Sequence, residues 1–179
     1  MSGSVVKGPV NGAQVCAYRA TAAGKGEQIR CTTSGAGAVV GKLFGLQRAM
    51  KGGIGHALVR VGPWQVGAMV ACNAVGDVID PATGQVLAGA RTADGTRLLN
   101  TQQALLAGQA AKAPLAGTNT TIGVVATNAT LDKSQAKRLA MSAHDGLARS
   151  IRPAHTTLDG DTLFAMATCA ETSAPDMML

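Results

Sequence analysis

Apolar and polar positions along the chain fall into four short stretches that predict strands. Residues 56–61 (HALVRV) and 65–72 (QVGAMVAC) flank Gly62-Pro63, a turn signal that predicts a hairpin or a closely linked pair. Residues 121–127 (TIGVVAT) and 162–168 (TLFAMAT) are brief apolar runs rich in β-branched side chains, the pattern of buried strands. Between these two lies the clearest helix, about residues 133–150. Ala136, Leu139, Ala140, Ala143 and Leu147 recur at helical spacing, while Lys133, Lys137, Arg138, Asp145 and Arg149 face mostly away. Asp132 or Thr130 is placed to cap its start, and Pro153 follows its end. A strand–helix–strand unit of this kind predicts a sheet with helices packed on it. Upstream, residues 15–19 and 28–33 read as weaker strand candidates among Gly-rich turns. Residues 80–119 read as an extended connection, with a short helix or a mobile stretch at 101–112. A long polar, Gly-rich segment inside a compact domain is either disordered or functional.

Length and composition narrow this picture. The 179 residues suit one domain, or a substantial piece of one. Hydrophobic types reach 46% and charged types only 15%, so the chain can bury enough surface to fold and is not a disordered segment. Aromatic residues are just 2%, which suits closely approaching layers of small side chains. No apolar run nears the ~18 residues of a transmembrane helix, so no membrane association is expected. The opening Met-Ser-Gly-Ser has neither a basic nor an apolar leader region, which predicts the cytoplasm. The net charge of +6 comes from scattered Lys and Arg without a basic run or stacking aromatics, so nucleic acid is not an expected partner. Cys16, Cys31, Cys72 and Cys169 lack CxxC spacing and read as reduced, small apolar core side chains.

Several familiar motifs fail on inspection. The segment 35–42 (GAGAVVGK) invites a phosphate-loop reading, but Leu43 fills the Ser/Thr slot, and as a dinucleotide fingerprint it is one residue too long. Neither a G-x-S-x-G elbow nor HExxH occurs. His155, Asp159 and Asp161 have ligand-type side chains, but an Asp-Gly-Asp turn leading into a strand is common without a metal. Neither metal nor cofactor is therefore expected.

One combination survives. Asn119-Thr120-Thr121 stands ahead of one apolar strand, and residues 155–162 (HTTLDGDT) stand ahead of another. A hydroxyl is a weak nucleophile unless a base removes its proton. A threonine can use its own α-amine, which titrates near ~8, if the preceding peptide bond is cut. Two carboxylates could then hold amine and hydroxyl in register. Taken separately, Asn-Thr is ordinary loop chemistry and Asp-Gly-Asp an ordinary turn.

Three longer segments carry a resemblance: residues 50–85 (MKGGIGHALVRVGPWQVGAMVACNAVGDVIDPATGQ), 117–132 (GTNTTIGVVATNATLD) and 143–169 (AHDGLARSIRPAHTTLDGDTLFAMATC), with residues 35–42 as a fourth. They resemble the DmpA-type family of L-aminopeptidase/D-esterases, which includes β-peptidyl aminopeptidases and nylon-oligomer hydrolases. The resemblance implies an α+β layered sandwich of β-sheets between helices, like that of N-terminal-nucleophile hydrolases. It also implies self-cleavage before a Ser or Thr nucleophile, with the two pieces staying together. Carried over, Thr120 matches the nucleophile and Asn119–Thr120 the self-cleaved bond. Asn73 matches the oxyanion-stabilising amide, and Lys42 a lysine beside the nucleophile in the nylon-hydrolase branch. Asp159 and Asp161 match the paired positions that orient the nucleophile. Lys42 near two carboxylates would keep them ionised. The family's upstream GGSAFGL-like segment and its oxyanion tyrosine have no counterpart here, since Tyr18 sits in no matching context.

The expectation is thus a single domain or part of one, cut into an α-like segment (1–119) and a β-like segment (120–179). It is read as a self-processing aminopeptidase-type amide hydrolase acting on a small peptide, amide or ester. Two alternatives stand beside it: a linear oligoamide (6-aminohexanoate oligomer) hydrolase, and a catalytically incomplete module that keeps only fold and association surface. Sheet faces left without partners predict a homo-oligomer.

Overall fold

The computed structural model describes residues 14–21, 24–33, 37–112 and 118–172, the first two spans by their backbone alone. Strands β1 (Gln14–Thr21) and β2 (Gly24–Thr33) pair antiparallel with two irregularities in register, so both upstream strand candidates are strands. A short antiparallel pair follows, β3 (Val39–Val40) with β4 (Met50–Lys51), separated by 3₁₀ turns at Lys42–Phe44 and Leu46–Arg48.

Next come β5 (Gly53–Val61) and β6 (Trp64–Cys72), the expected hairpin, in continuous antiparallel register from Gly53↔Cys72 to Val61↔Trp64. The two-residue loop has Gly62 at φ 59°, the left-handed value that a tight hairpin loop needs at its first position. After β7 (Asp77–Ile79), β8 (Val86–Ala88) and helix α1 (Thr101–Leu106) come β9 (Ile122–Ala129), helix α2 (Lys133–Ser150), β10 (Ile151–Arg152) and β11 (Thr162–Glu171). The main sheet has the order β11-β9-β6-β5, with β9 parallel to β11 and antiparallel to β6. A smaller sheet has the order β10-β7-β8. The result is an α+β layered fold.

Helix α2 occupies the predicted residues and starts with a full capping box. The Asp132 carboxylate accepts the Gln135 backbone N–H at 2.8 Å, and the Gln135 side chain accepts the Asp132 N–H at 2.9 Å. The face made by Ala136, Leu139, Ala140, Ala143 and Leu147 is the half-buried to buried one, as the spacing predicts. Leu147 is buried with Val40, Ala74, Ile151 and Leu163 in the main core cluster. Alternation along β9 places Gly123, Val125, Thr127 and Ala129 on the buried side. On the opposite side of the sheet Met69, Ile122, Phe164 and Met166 are exposed.

The 80–112 stretch is more ordered than an extended connection. Buried Asp77 accepts the Ala90 N–H at 2.8 Å, the Thr101 N–H at 2.6 Å and the Thr101 hydroxyl at 2.8 Å. One carboxylate thereby fastens both the loop and the start of α1. The helix is capped by Asn100 and ends at Leu106, well short of residue 112; residues 113–117 lie outside the described set. The cysteine expectation is corrected at one position: Cys169 is exposed, and Cys72 is half-buried; the side chains of Cys16 and Cys31 lie outside the described set.

Candidate active site

Four segments converge at the leading ends of β9 and β11. The first is the turn carrying Lys42. Its backbone pairs with the loop after β6, Gly41 N–H to the Gly76 carbonyl (2.8 Å) and Lys42 N–H to that of Val75 (2.9 Å), which brings Lys42 against Asn73. The Lys42 Nζ is buried and donates to the Asn73 carbonyl (3.1 Å), Asn73 Oδ1 (2.8 Å) and the Thr118 carbonyl (2.9 Å). Three acceptors use all three N–H bonds of an ammonium, one more than a neutral amine possesses. Burial pulls the Lys42 pKa below its usual value, and the negative charge of Asp159 opposes that fall.

Asn73 is held at both ends of its amide. Its Oδ1 accepts from Val39 N–H (3.0 Å) and Lys42, while its Nδ2 donates to the Thr118 carbonyl (2.9 Å). Beside it, burial pushes the Cys72 thiol up, while the neighbouring Thr121 hydroxyl holds it back.

The third and fourth segments run side by side and prolong the parallel ladder of β9 and β11 past their ends. Thr162 N–H donates to the Thr121 carbonyl (2.9 Å) and Gly160 N–H to the Asn119 carbonyl (2.7 Å). The Asn119 side chain donates to the Leu158 carbonyl at 3.3 Å. Asn119 and Thr121 are fully buried, with Thr120 half-buried between them. A Cβ placed on Gly160 would come within 2.8 Å of the Thr120 hydroxyl oxygen, so glycine leaves room for that side chain.

The two aspartates take different duties. Asp159 accepts from Val75 N–H (3.2 Å), Thr156 N–H (3.0 Å) and the Thr156 hydroxyl (2.8 Å), tying the 155–161 loop to the loop that bears Asn73. Asp161 is only 4% exposed. It accepts Thr121 N–H at 3.0 Å, and its other oxygen lies 3.0 Å from His155 Nδ1. His155 adopts a left-handed backbone (φ 53°), unusual for a residue with a Cβ. Its Nε2 lies 3.4 Å from the His144 carbonyl.

All six residues singled out from sequence, Lys42, Asn73, Asn119, Thr120, Asp159 and Asp161, therefore lie in these converging segments. The expectation that Lys42 faces both carboxylates is met in part: Asp159 acts on its charge, but its hydrogen bonds go to Asn73 and Thr118. Sequence reasoning missed Thr156 and His155 as partners of the two aspartates. A Thr three residues before an Asp is a short-range hydrogen-bonding pattern that could have revealed the first. Among the described residues no group of three His, Cys, Asp or Glu side chains is placed to hold a metal ion. Nor is any helix among them long and apolar enough to cross a membrane.

Lys42, Asn73 and Asp161 thus flank the Asn119–Thr120 junction directly, with Asp159 one contact removed. The model of peptidase family S58 matches residues 5–179, and the chain belongs to that family, the DmpA family. An uncharacterized aminopeptidase of Mycobacterium leprae is 48% identical over 157 residues, covering 86% of this chain and 41% of its own length. The 6-aminohexanoate-oligomer endohydrolase of a Kocuria species is 36% identical over 119 residues, 65% of this chain and 33% of the enzyme. Among solved structures, the L-aminopeptidase D-Ala-esterase/amidase of Ochrobactrum anthropi, described as a variant among the Ntn hydrolase fold, is 25% identical with a TM-score of 0.47. It covers 81% of this chain and 35% of its own. The chain thus spans about two fifths or less of the length of these relatives.

Proposed function

We propose that the chain is a self-processing amide hydrolase of the aminopeptidase type, with Thr120 as its nucleophile once the Asn119–Thr120 bond is cut. The observation that carries this reading is a pair of clamps on either side of one peptide bond. Lys42 and Asn73 both hold the Thr118 carbonyl, and Asp161 holds the Thr121 N–H, so the Asn119–Thr120 pair and the bond joining it are fixed between them. After the cut, the Thr120 amine serves as base for its own hydroxyl. Asn73 Nδ2, no longer engaged by Thr118, is free to meet the oxyanion of a bound substrate. Asp159 and Asp161 keep the two flanking loops in register, and the substrates are short peptides, amides or esters with a free amine. The unbridged thiol of Cys72 suits work in the reducing cytoplasm.

Intact mass after purification tests the reading. Pieces of 119 and 60 residues are expected from the native chain, and a single uncut mass from Thr120→Ala. A native chain as whole as Thr120→Ala after long incubation removes the proposal and favours a catalytically incomplete module.

A second substrate class, linear oligoamides, is favoured by one feature. By strand alternation Thr120 shares a sheet face with Ile122 and Val124, and there Ile54, Met69, Ala71 and Phe164 complete a shallow apolar hollow of about 250 Å³. Such a surface suits polymethylene segments better than charged peptides. Turnover of 6-aminohexanoate oligomers against aminoacyl p-nitroanilides separates the two. The exposed Met69, Ile122, Phe164 and Met166 on this face also support a homo-oligomer as the working form.

A further inference from the structure

We infer that the backbone N–H of Gly160 is the oxyanion donor for self-cleavage, a role distinct from that of the Asn73 amide. The inference rests on the self-processing reading above and assigns it a residue. Three contacts lead here. The Asn119 carbonyl, which self-cleavage must attack, accepts the Gly160 N–H at 2.7 Å, the short end of the ordinary range. The Thr120 hydroxyl oxygen lies against the same glycine, where a Cβ would meet it at 2.8 Å. Asn73, by contrast, donates one residue upstream, to the Thr118 carbonyl, and is engaged there while the chain is whole.

The step balances as an acyl shift. The Thr120 hydroxyl oxygen attacks the Asn119 carbonyl carbon, whose π electrons move onto the carbonyl oxygen, and Gly160 N–H meets that growing charge. The tetrahedral species collapses by breaking the bond between the Asn119 carbon and the Thr120 nitrogen. The hydroxyl proton ends on that nitrogen, leaving an ester that water opens to a carboxylate and a free hydroxyl. A donor already fixed at the carbonyl strengthens as charge develops, without reorganising. Once the bond is cut, the Asn119 carbonyl belongs to a departed carboxylate. The substrate's carbonyl takes over the nucleophile, and Asn73 becomes the donor in turn.

The test removes one hydrogen. A full chain made by translation with glycolic acid at position 160 has an ester oxygen in place of the Gly160 N–H and keeps every side chain. Its self-cleavage, followed by intact mass, is expected to be roughly 10²–10³-fold slower than that of the native chain. Asn73→Ala is expected to slow turnover of added substrate more than self-cleavage. A folded ester chain, judged by circular dichroism, that cuts at the native rate overturns the inference while leaving the self-processing reading intact. A native chain that never cuts overturns both. A second measurement needs no change at position 160. In Thr120→Ala, which stays whole, a ¹³C-labelled Asn119 carbonyl should absorb at lower infrared frequency than an amide carbonyl without a hydrogen-bond donor. A band at the donor-free position overturns the inference.

Discussion

Replacing Lys42 by methionine keeps the volume of a buried side chain and deletes its charge. Three acceptors lose a donor, but unequally. Asn73 Oδ1 still has the Val39 N–H, and the Thr118 carbonyl still has Asn73 Nδ2; the Asn73 carbonyl loses its ammonium outright. Stranding a fully buried carbonyl costs about 1–3 kcal/mol, and Asn73 is only half-buried. Against this, the ammonium is itself strained by burial, which lowers its pKa. The net loss of stability is therefore expected to stay near the bottom of that range, within reach of urea denaturation. The effect on self-cleavage should be larger than stability suggests, because Asn73 and Thr118 are no longer locked together beside the reacting bond. A loss of roughly 1.4–2.8 kcal/mol in positioning corresponds to a ten- to hundredfold slower cut. The pH profile supplies the decisive sign. A lysine whose folded pKa is depressed gives up its proton below the usual 10.5, so the native rate should fall on an alkaline limb that begins under that value. Lys42→Met has no such proton, and its slower rate should lack that limb. Native-speed cleavage in a folded Lys42→Met chain, or an unchanged alkaline limb, would refute the positioning role.

Further outcomes follow from individual contacts. Asn73→Ala should retain the fold and lose roughly two orders of magnitude in kcat on aminoacyl substrates, as removal of one oxyanion donor does; an unchanged kcat would mark Asn73 as merely ending a strand. Asp77→Asn turns an amide N–H toward one of the two backbone donors that the carboxylate serves, so loosened protection of residues 90–101 in hydrogen exchange is expected. Burial raises the Asp77 pKa, so whatever stability it gains by protonation is present below its unfolded value near ~3.9 and lost as pH rises through the raised folded value. Leu147→Ala empties the centre of the main core and should cost about 2–5 kcal/mol in a denaturant titration. Phe164→Lys places a charge on the open sheet face, and light scattering should then report a smaller particle than the native chain if copies associate there.

The elements most legible in the sequence were those whose pattern reports a local cause. The periodicity of Ala136, Leu139, Ala143 and Leu147, with Asp132 ahead of it, fixes both face and start of α2, because capping and amphipathicity act within a turn or two. Gly62-Pro63 likewise announces its hairpin. The three-point grip of Asp77 was not legible: it joins residues 13 and 24 positions away, and no local pattern encodes such a span. At the site the residue types were readable from the resemblance, yet the division of labour was not. Asp159 and Asp161 look alike in the motif, and only the fold turns one toward Val75 and Thr156 and the other toward Thr121 and His155. Gly160 carries no side chain to draw notice, and its contribution is a backbone hydrogen placed by strand pairing.

The position of β9 inside the main sheet bears on the fate of a cut chain. This strand opens the downstream piece, yet its antiparallel neighbour β6 belongs to the upstream one, joined from Val66↔Thr127 to Ala71↔Ile122. A nick at Asn119–Thr120 therefore leaves two polypeptides zipped through a shared ladder, and the folded protein loses nothing visible. What changes is the way back. Before the nick, the pairing of β6 with β9 is a unimolecular event, and the two strands find each other at the high effective concentration of one chain. After it, the unfolded state is two molecules that can diffuse apart, so the melting temperature becomes dependent on protein concentration and refolding becomes second order. Self-processing would make this a protein that folds once as a monomeric chain and persists thereafter through the slowness of its unfolding.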